Sequence, residues 1–331
     1  MTTTSVPIVR RVLGLQKAFL AIVLTVLAMA LLNLLPATRN DFFSGYNLVE
    51  SLLKSNSIYV ILAMGETVVL VAGGVDLSIG GVMSVAGIIA IQQVNAGTPA
   101  PVAIAACLIV GAVVGAVNAF FSVYQRLEPF IVTLGMGIIL TGVGQQLTNA
   151  NPVSSADPAF LNIANFPIFG FLPTLVVVTV LTVAGVYFVL RNTSFGRNCY
   201  AIGGDYEVAK YSGIDVLRTK ATTYVVSGVT AAIAGVMLSS QLNAGNSIFG
   251  DQTALYVVCA VVVGGTSVAG GVGGAIKSLI GIMLLGLATN ALVMLKVDSL
   301  VLYLTQALTG LIIVSILWLD SYGRKRRRED V

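Results

Sequence analysis

The sequence predicts an all-α integral membrane protein with about ten transmembrane helices, and its composition and length lead to this prediction. Hydrophobic residues make up 56% of the 331 residues, charged residues make up only 10%, and the mean hydropathy is +0.94. A soluble globular protein carries about 25% charged residues, so this chain lacks the polar surface needed to cover itself in water. Its length accommodates about ten apolar segments of roughly 20 residues with short connections.

Ten apolar runs mark the predicted spans, and the charged residues cluster at the ends of these runs. Numbered 1 to 10, the spans cover residues 18–31, 58–73, 79–94, 101–123, 130–147, 173–190, 221–239, 254–268, 275–295 and 300–319. Spans 2, 3 and 8 are short and interrupted by glycine, so a re-entrant hairpin is an alternative there. The first run has a basic start but no small-residue cleavage site after it, so we expect a retained helix and not a signal peptide.

The distribution of basic residues predicts the orientation of the spans. With the N-terminus in the cytoplasm, all of the 18 lysines and arginines except Arg39, Lys54 and Lys296 fall on the cytoplasmic side. Cytoplasmic loops of membrane proteins carry such an excess of positive charge. We therefore expect one transmembrane domain over residues 1–331, with both termini cytoplasmic and a basic cytoplasmic tail at 320–331.

Several chemical functions are excluded or disfavoured by the composition. Histidine is absent, which excludes a Ser-His-Asp hydrolase and most zinc, haem and copper sites. Cys107, Cys199 and Cys259 are far apart, so we expect neither a disulfide framework nor a metal site. The segment GVGGAIKS at 271–278 has Ile276 where a phosphate-binding loop requires glycine. We therefore expect no bound cofactor. We also expect no nucleic-acid partner, because the net charge of +4 reflects the basic residues at the ends of the spans, which is membrane topology.

The string GGVDLSIGG at 73–81 joins spans 2 and 3. Gly73 and Gly74 are predicted to close span 2 in the left-handed conformation. Asp76, with Ser78 close behind it, is predicted to cap the N-terminus of span 3, where its charge meets the helix dipole. An aspartate at the membrane centre costs about 2.5 to 3.5 kcal/mol on insertion, so Asp76 requires a partner or a helix end.

A second string, GGTSVAGG at 264–271, joins spans 8 and 9 with a similar pattern. Gly264 and Gly265 correspond to the first glycine pair, and either Thr266 or Ser267 takes the capping role. The two strings suggest a weak internal repeat, as expected of a transporter built from related halves.

Small residues also predict close contacts between helices. Gly111 and Gly115 form a GxxxG pattern in span 4, and Gly270 and Gly274 form another at the start of span 9. Such patterns allow helix backbones to approach closely in lipid.

The longest predicted cytoplasmic loop runs over 191–220 and is rich in basic residues. Asp205 is a plausible N-cap for a short helix within it. Glu207, Ala209 and Gly213 follow at spacings that suit such a helix, and Gly213 is predicted to end it. A short amphipathic helix on the inner face suits docking into a groove of a soluble partner.

Five segments in order carry a resemblance to a known family. They read ETVVLVAGGVDLSIGG, EPFIVTLGMG, SFGRNCYAIGGDYEVAKYSGIDV, YVVSGVTAAIAGVM and VVVGGTSVAGGVGGAIKSLIG. Together, over about 58–319, they resemble the permease subunit of ribose-type ABC sugar importers. The resemblance implies the ABC importer permease fold in a bacterial cytoplasmic (inner) membrane.

The resemblance also implies partners and site residues. The expected partners are an ABC ATPase subunit that binds ATP and Mg, a substrate-binding protein, a second permease copy or a paralogue, and a small sugar-like substrate. Residues 203–216 resemble the family's coupling helix. The role in ATPase coupling is carried over to Gly203, Gly204, Glu207, Ala209 and Gly213.

Polar residues within the spans are candidates for the solute pathway. These are Glu66, Asn118, Asn290 and Gln306. Glu66 stands where an uncharged residue is common in the family, and it is either a pathway residue or a protonated link between helices. Ala254, Leu255 and Tyr256 replace the Glu-Leu-Asp run of many members, which leaves the substrate open.

The function predicted from these features is ATP-driven import of a monosaccharide or similar solute by alternating access, through a chain that is not itself an enzyme. One alternative is an ion-coupled secondary transporter that uses Glu66 and Asp76. Another is a membrane scaffold or receptor that does not transport and that interacts through its inner loop.

Overall fold

The computed structural model of the protein describes residues 42–168 and 170–294, together with the single residues 23, 26, 27, 30 and 310. This part of the chain is mainly helical. Its α-helices are α1 (Ser55–Val71), α2 (Ile79–Asn95), α3 (Ala100–Ala119), α4 (Pro129–Thr148), α5 (Pro158–Asn165), α6 (Thr174–Asn192), α7 (Ser194–Gly204), α8 (Tyr206–Tyr211), α9 (Val216–Leu242), α10 (Thr253–Val263) and α11 (Ala275–Met294).

Short elements complete the described chain. A π-helical segment (Asn47–Lys54) leads directly into α1, and a second (Phe120–Tyr124) extends α3. A 3₁₀-helix (Ser247–Gly250) precedes α10. Strands β1 (Pro167–Ile168) and β2 (Leu172–Pro173) form a small antiparallel hairpin.

Each of the predicted spans 2 to 9 coincides with an apolar helix of the structure. Helices long and apolar enough to cross a membrane cover Asn47–Val71, Ala100–Tyr124, Pro129–Thr148, Thr174–Asn192 and Val216–Leu242. Shorter apolar helices cover Ile79–Asn95, Ser247–Val263 and Ala275–Ala291. Spans 1 and 10 and the tail at 320–331 lie outside the described residues.

The centre of the fold is formed by α1, α2 and α9. Every residue of α1 except Ser55 and Tyr59 is buried. The most apolar stretch of Asn47–Val71 is 83% buried, whereas that of Pro129–Thr148 is only 17% buried. A helix that is hydrophobic all round is an interior helix, and a helix with an exposed apolar face suits contact with lipid. The core therefore lies along α1 and α9, with α3, α4 and α6 around it.

Glycine lets α3 and α9 cross at close range. A β-carbon on Gly111 would collide with the carbonyl oxygen of Gly228, and one on Gly115 with the carbonyl oxygen of Tyr224. The GxxxG pattern predicted in span 4 is therefore confirmed as a packing motif. The second predicted GxxxG is wrong, because its glycines lie in the loop before α11 with positive φ, not on a helix.

The helices run between two ends that the loops define. At the first, called here the bridge end, Val153 and Gly245 exchange backbone hydrogen bonds of 2.9 and 2.8 Å, and Asn95 Nδ2 donates to Ser154 O at 2.8 Å. At the opposite end, called here the glycine end, the segment after α1, the end of α7 and the loop before α11 come together. Every described lysine and arginine except Lys54 lies on the glycine-end side of the fold.

Candidate functional site

Three glycine-rich segments that are distant in sequence meet at the glycine end. The backbone nitrogen of Gly271 donates a 3.0 Å hydrogen bond to Val71 O. A β-carbon on Gly203 would collide with Val71 O and with Gly271 N, and one on Gly270 would lie 3.0 Å from Gly73 Cα. The contact therefore requires glycine, which has no side chain, at these positions. The two glycine strings and the predicted coupling loop thus form one unit, called here the glycine junction.

Both glycine strings end the preceding helix in the same way. Gly73 has φ 71° and donates to Leu70 O at 2.9 Å, while Gly265 has φ 99° and donates to Val262 O at 2.9 Å. In each case the next residue donates to the carbonyl one position earlier, which is the Schellman closure. Only the second glycine of the pair after α10, but the first glycine of the pair after α1, is therefore left-handed. Gly74 and Gly264 do not have positive φ, and they instead pack closely against Tyr224 and Lys277.

Of the two candidates for capping α11, only Thr266 reaches the start of the helix, and it contacts the residue before the first turn. Its hydroxyl accepts from Gly274 N at 3.4 Å, just before the helix begins. The same hydroxyl lies 3.2 Å from Ser278 Oγ, which accepts from Thr67 Oγ1 on α1 at 2.6 Å. Ser267 makes only local turn contacts. Thr266 thereby connects the start of α11 to the middle of α1.

The short helix α8 has the cap and the stop that the sequence predicts. Asp205 Oδ1 accepts from Val208 N at 3.0 Å, which caps the N-terminus. Gly213 has φ 81° and donates to Lys210 O at 3.1 Å, while Ile214 N donates to Ala209 O at 3.2 Å. This is again a Schellman closure. The role of this helix in coupling stays a prediction.

One face of α8 packs inward and the rest is open. Ala209 is 3% exposed and packs with Ile202 and Val216. Tyr211 is 84% exposed, and Val208 and Glu207 are exposed as well. Exposed apolar side chains grouped on a short helix are typical of a surface that another protein covers.

A cavity of about 580 Å³ lies beside α8 at the glycine end. Its wall includes Gly73, Gly74 and Ser122, the connection between α3 and α4, and the charged side chains Arg126, Glu128, Glu207, Lys210 and Lys220. Lys220 Nζ donates to Gly73 O at 3.3 Å, which places an ammonium group at the end of α1. A cation there matches the negative end of the helix dipole.

Two carboxyl groups lie in the interior next to this cavity. Glu66 and Asp76 are both 0% exposed, and Asp76 N donates to Glu66 Oε1 at 3.3 Å. Asp76 Oδ1 accepts from Ser78 N at 3.0 Å and from Ser78 Oγ at 2.6 Å. Asn118 Nδ2 in turn donates to Ser78 Oγ at 2.8 Å. The N-cap of α2 is therefore Ser78, and Asp76 holds its backbone nitrogen in place of capping the helix directly.

A larger cavity of about 1240 Å³ opens toward the bridge end, between α1, α10 and α11. The rings of Tyr59 and Tyr256 contact each other in its wall, with centroids 4.9 Å apart and planes tilted by 56°. Its polar lining includes Asn56, Gln252, Thr253, Thr289 and Asn290, with Glu50 and Asp251 nearer the mouth. We call it the outer cavity. Concave sites with aromatic walls and a few polar groups are typical of small-molecule binding.

The predicted pathway residues fall in two places. Among the described residues, Asn290 lines the outer cavity, whereas Glu66 and Asn118 lie together beside Asp76 in the interior and line neither cavity. Gln306 lies outside the described residues. Sequence reasoning missed Tyr59 and Asn56, which line the outer cavity. The only other sequence feature that pointed to this cavity was Tyr256, where the chain departs from the family pattern.

Comparison with known proteins gives one family over most of the chain. Residues 48–317 match the family described as branched-chain amino acid transport system / permease component. The ribose import permease protein RbsC of Escherichia coli K12 is 32% identical over 91% of this chain and 94% of the relative. The xylose transport system permease protein XylH of the same strain is 30% identical, covering 87% and 88%. The D-allose transport system permease protein AlsC of Escherichia coli K12 is 30% identical over 83% of this chain and 84% of the relative.

Proposed function

Because the chain belongs to the branched-chain amino acid transport system / permease component family, we propose that it is the transmembrane permease subunit of an ATP-binding-cassette importer for a monosaccharide. It is a multi-pass membrane protein, and the relatives are permeases for ribose, xylose and allose. The chain would be non-catalytic and would open its pathway to each side of the membrane in turn.

The outer cavity is the observation that carries this proposal. The apolar C–H face of a sugar stacks well on an aromatic ring, and its hydroxyls need both donors and acceptors. Tyr59 and Tyr256 supply the rings, and Asn56, Asn290 and Thr289 supply the hydrogen-bonding groups. Such a lining suits a small neutral polyhydroxy solute.

Energy would enter at the glycine end. We propose that α8 docks on an ABC ATPase subunit, which binds ATP and Mg, with residues 191–220 as the cytoplasmic coupling loop. Closure of the ATPase would push on α7 and α8, and the glycine junction would pass this movement to Val71 on α1 and to the loop before α11. Since α1, α10 and α11 flank the outer cavity, the movement would reach the solute pathway.

The glycine end would then be cytoplasmic, because cytoplasmic loops are rich in lysine and arginine. The outer cavity would face the other side, where a substrate-binding protein delivers the sugar. We propose about ten helices in one domain over 1–331, with both termini and the tail at 320–331 cytoplasmic, a second permease copy or a paralogue, and location in a bacterial inner membrane.

Ion-coupled transport is less well supported by the geometry. It would require Glu66 and Asp76 to reach the solute pathway. Both carboxyl groups are fully buried and neither lines the outer cavity.

The test is purification of the chain from native membranes in mild detergent, followed by reconstitution with the proteins that copurify. We expect an ATPase with paired nucleotide-binding domains and a binding protein, and ATP-dependent uptake of a pentose or hexose. Tyr256→Ala is expected to reduce uptake at least tenfold, whereas Phe188→Ala on the exposed face of α6 is not. Recovery of the chain alone, without ATPase activity, would contradict the proposal.

A further inference from the structure

Six buried side-chain oxygens lie at the Glu66–Asp76 pair, two of them from the pair itself, and none of the six makes a hydrogen bond of normal geometry. They are Glu66 Oε2, Asp76 Oδ2, Asn118 Oδ1, Ser122 Oγ, Tyr224 Oη and Ser227 Oγ. Elsewhere in the described part of the chain, only Ser84 and Gln241 carry such an atom. A buried polar atom without a partner is costly, so natural proteins contain few of them. Their concentration at one place indicates that something bridges them.

The positions of Tyr224 and Ser227 on α9 bring them to the pair. A β-carbon on Gly74 would lie 2.8 Å from Tyr224 Oη, and Gly74 lies two residues before Asp76. The Tyr224 hydroxyl lies near both carboxyl groups and within reach of Ser122 and of the backbone at Val75. Ser227 Cα would lie 3.0 Å from a β-carbon on Gly65, the neighbour of Glu66, and its hydroxyl lies beside the Asp76 carboxyl. We call this cluster of six side chains the acidic chamber.

The charges in the acidic chamber are not balanced by direct contacts. No described lysine or arginine forms an ion pair with Glu66 or Asp76. The ammonium group of Lys220 donates to Gly73 O, and its acidic neighbour in the wall of the glycine-end cavity is Glu128. Burying two ionised carboxylates in a dry interior costs free energy unless a positive charge lies beside them. The C-terminal end of α1 adds a further partial negative charge.

The oxygen atoms present suit a hard cation. Carboxylate, amide and hydroxyl oxygens are the ligands that such ions prefer, and transporters bind sodium where helices end near the middle of the membrane. With Lys220 nearby, one monovalent cation would balance the two carboxylates. Ser122 and Gly74 border both the acidic chamber and the glycine-end cavity, which gives an ion a way in.

We propose that the acidic chamber binds one monovalent cation of about the size of sodium, with Glu66 and Asp76 as its charged ligands. Oxygens of Asn118, Ser122, Tyr224 and Ser227 would complete its shell. The ion would join α1, the turn after it, α3 and α9, independently of which solute the protein moves.

The experiment measures the thermal unfolding midpoint of the full-length chain in detergent. Sodium chloride replaces choline chloride at constant ionic strength, since choline is a bulky quaternary ammonium ion that carboxylate and hydroxyl oxygens do not coordinate. We expect a saturable rise of roughly 2–4 °C for the unaltered protein. Glu66→Gln and Asp76→Asn are expected to abolish the rise and Tyr224→Phe to reduce it, while Glu50→Gln, a control acid in the outer cavity, retains it.

Two results would overturn the proposal. The first is an unaltered protein with the same midpoint in sodium and in choline, which would mean that the chamber holds only water or a shared proton. The second is a full sodium response in folded Glu66→Gln. Because the first comparison needs no variant, a variant that fails to fold does not prevent the test.

Discussion

Asn47, at the start of the π-helical segment before α1, and Asn290 on α11 exchange two hydrogen bonds. Asn290 Nδ2 donates to Asn47 Oδ1 at 2.8 Å, and Asn47 Nδ2 donates to Asn290 Oδ1 at 3.1 Å. Asn47 Nδ2 also donates to Phe42 O at 2.8 Å. This reciprocal amide pair fixes one wall of the outer cavity, since Asn290 belongs to its lining.

Removal of one amide should therefore destabilise the protein. Asn290→Ala leaves Asn47 buried without its partner, so we expect a loss of about 1–3 kcal/mol in the free energy of unfolding. The double variant Asn47→Ala/Asn290→Ala should lose less than the sum of the two single variants. Denaturant unfolding of the three variants measures this, with the exposed Asn151→Ala as a control. Strict additivity would contradict the pairing.

The glycine junction should not tolerate a side chain at Gly203. Gly203→Ala forces a β-carbon against Val71 O and Gly271 N, so the α7 end must separate from α1. We expect ATP-dependent uptake to fall at least tenfold. The neighbouring Gly204→Ala is a matched control, because its β-carbon would meet nothing within 4 Å. Equal uptake by the two variants would show that the junction does not transmit movement.

The closure of α8 by Gly213 should matter for partner binding. Gly213→Ala strains a left-handed position at φ 81° and should cost about 1 kcal/mol while distorting the end of α8. We expect ATPase binding, measured by pull-down titration, to weaken by roughly tenfold.

Gly97 provides the control for that experiment. It closes α2 at the bridge end in the same way, with φ 83° and open space around it. Gly97→Ala should lose similar stability but bind the ATPase normally. Equal loss of binding by both variants would assign the effect to general destabilisation.

The cysteines should differ in reactivity. Burial raises the pKa of the Cys199 thiol to about 12, so this thiol stays neutral and should not react with maleimide between pH 7 and 9. Cys259 lines the outer cavity and should react with a small thiol reagent, more slowly when the transported sugar is present. Mass spectrometry of labelled native protein checks both points. Labelling of Cys199 that increases with pH before unfolding would contradict its burial.

Local features of the fold follow from the sequence because local interactions determine them. Apolar runs locate the helices, and the left-handed positions at Gly73 and Gly213 follow from helices that must end there. Asp205 is a cap because a carboxylate three residues before Val208 can accept its backbone N–H.

Side-chain direction could not be predicted in the same way. Since α1 is apolar on every face, its pattern contains no stripe that indicates which residues face a cavity. Glu66 and Tyr59 lie on the same helix, yet one is sealed in the interior and the other lines the outer cavity. The meeting of Gly73, Gly203 and Gly270 is likewise invisible, because it depends on how three distant segments fold back together.

The burial of α1 has a consequence for biogenesis. This helix carries Glu66 and is enclosed by protein, with α9 as one of its main neighbours. The ribosome completes α9 only after seven further helices, so the final surroundings of α1 do not exist when α1 is synthesised. Because a carboxyl group is costly in hydrocarbon, the early α1 is a poor membrane span until the later helices pack around it.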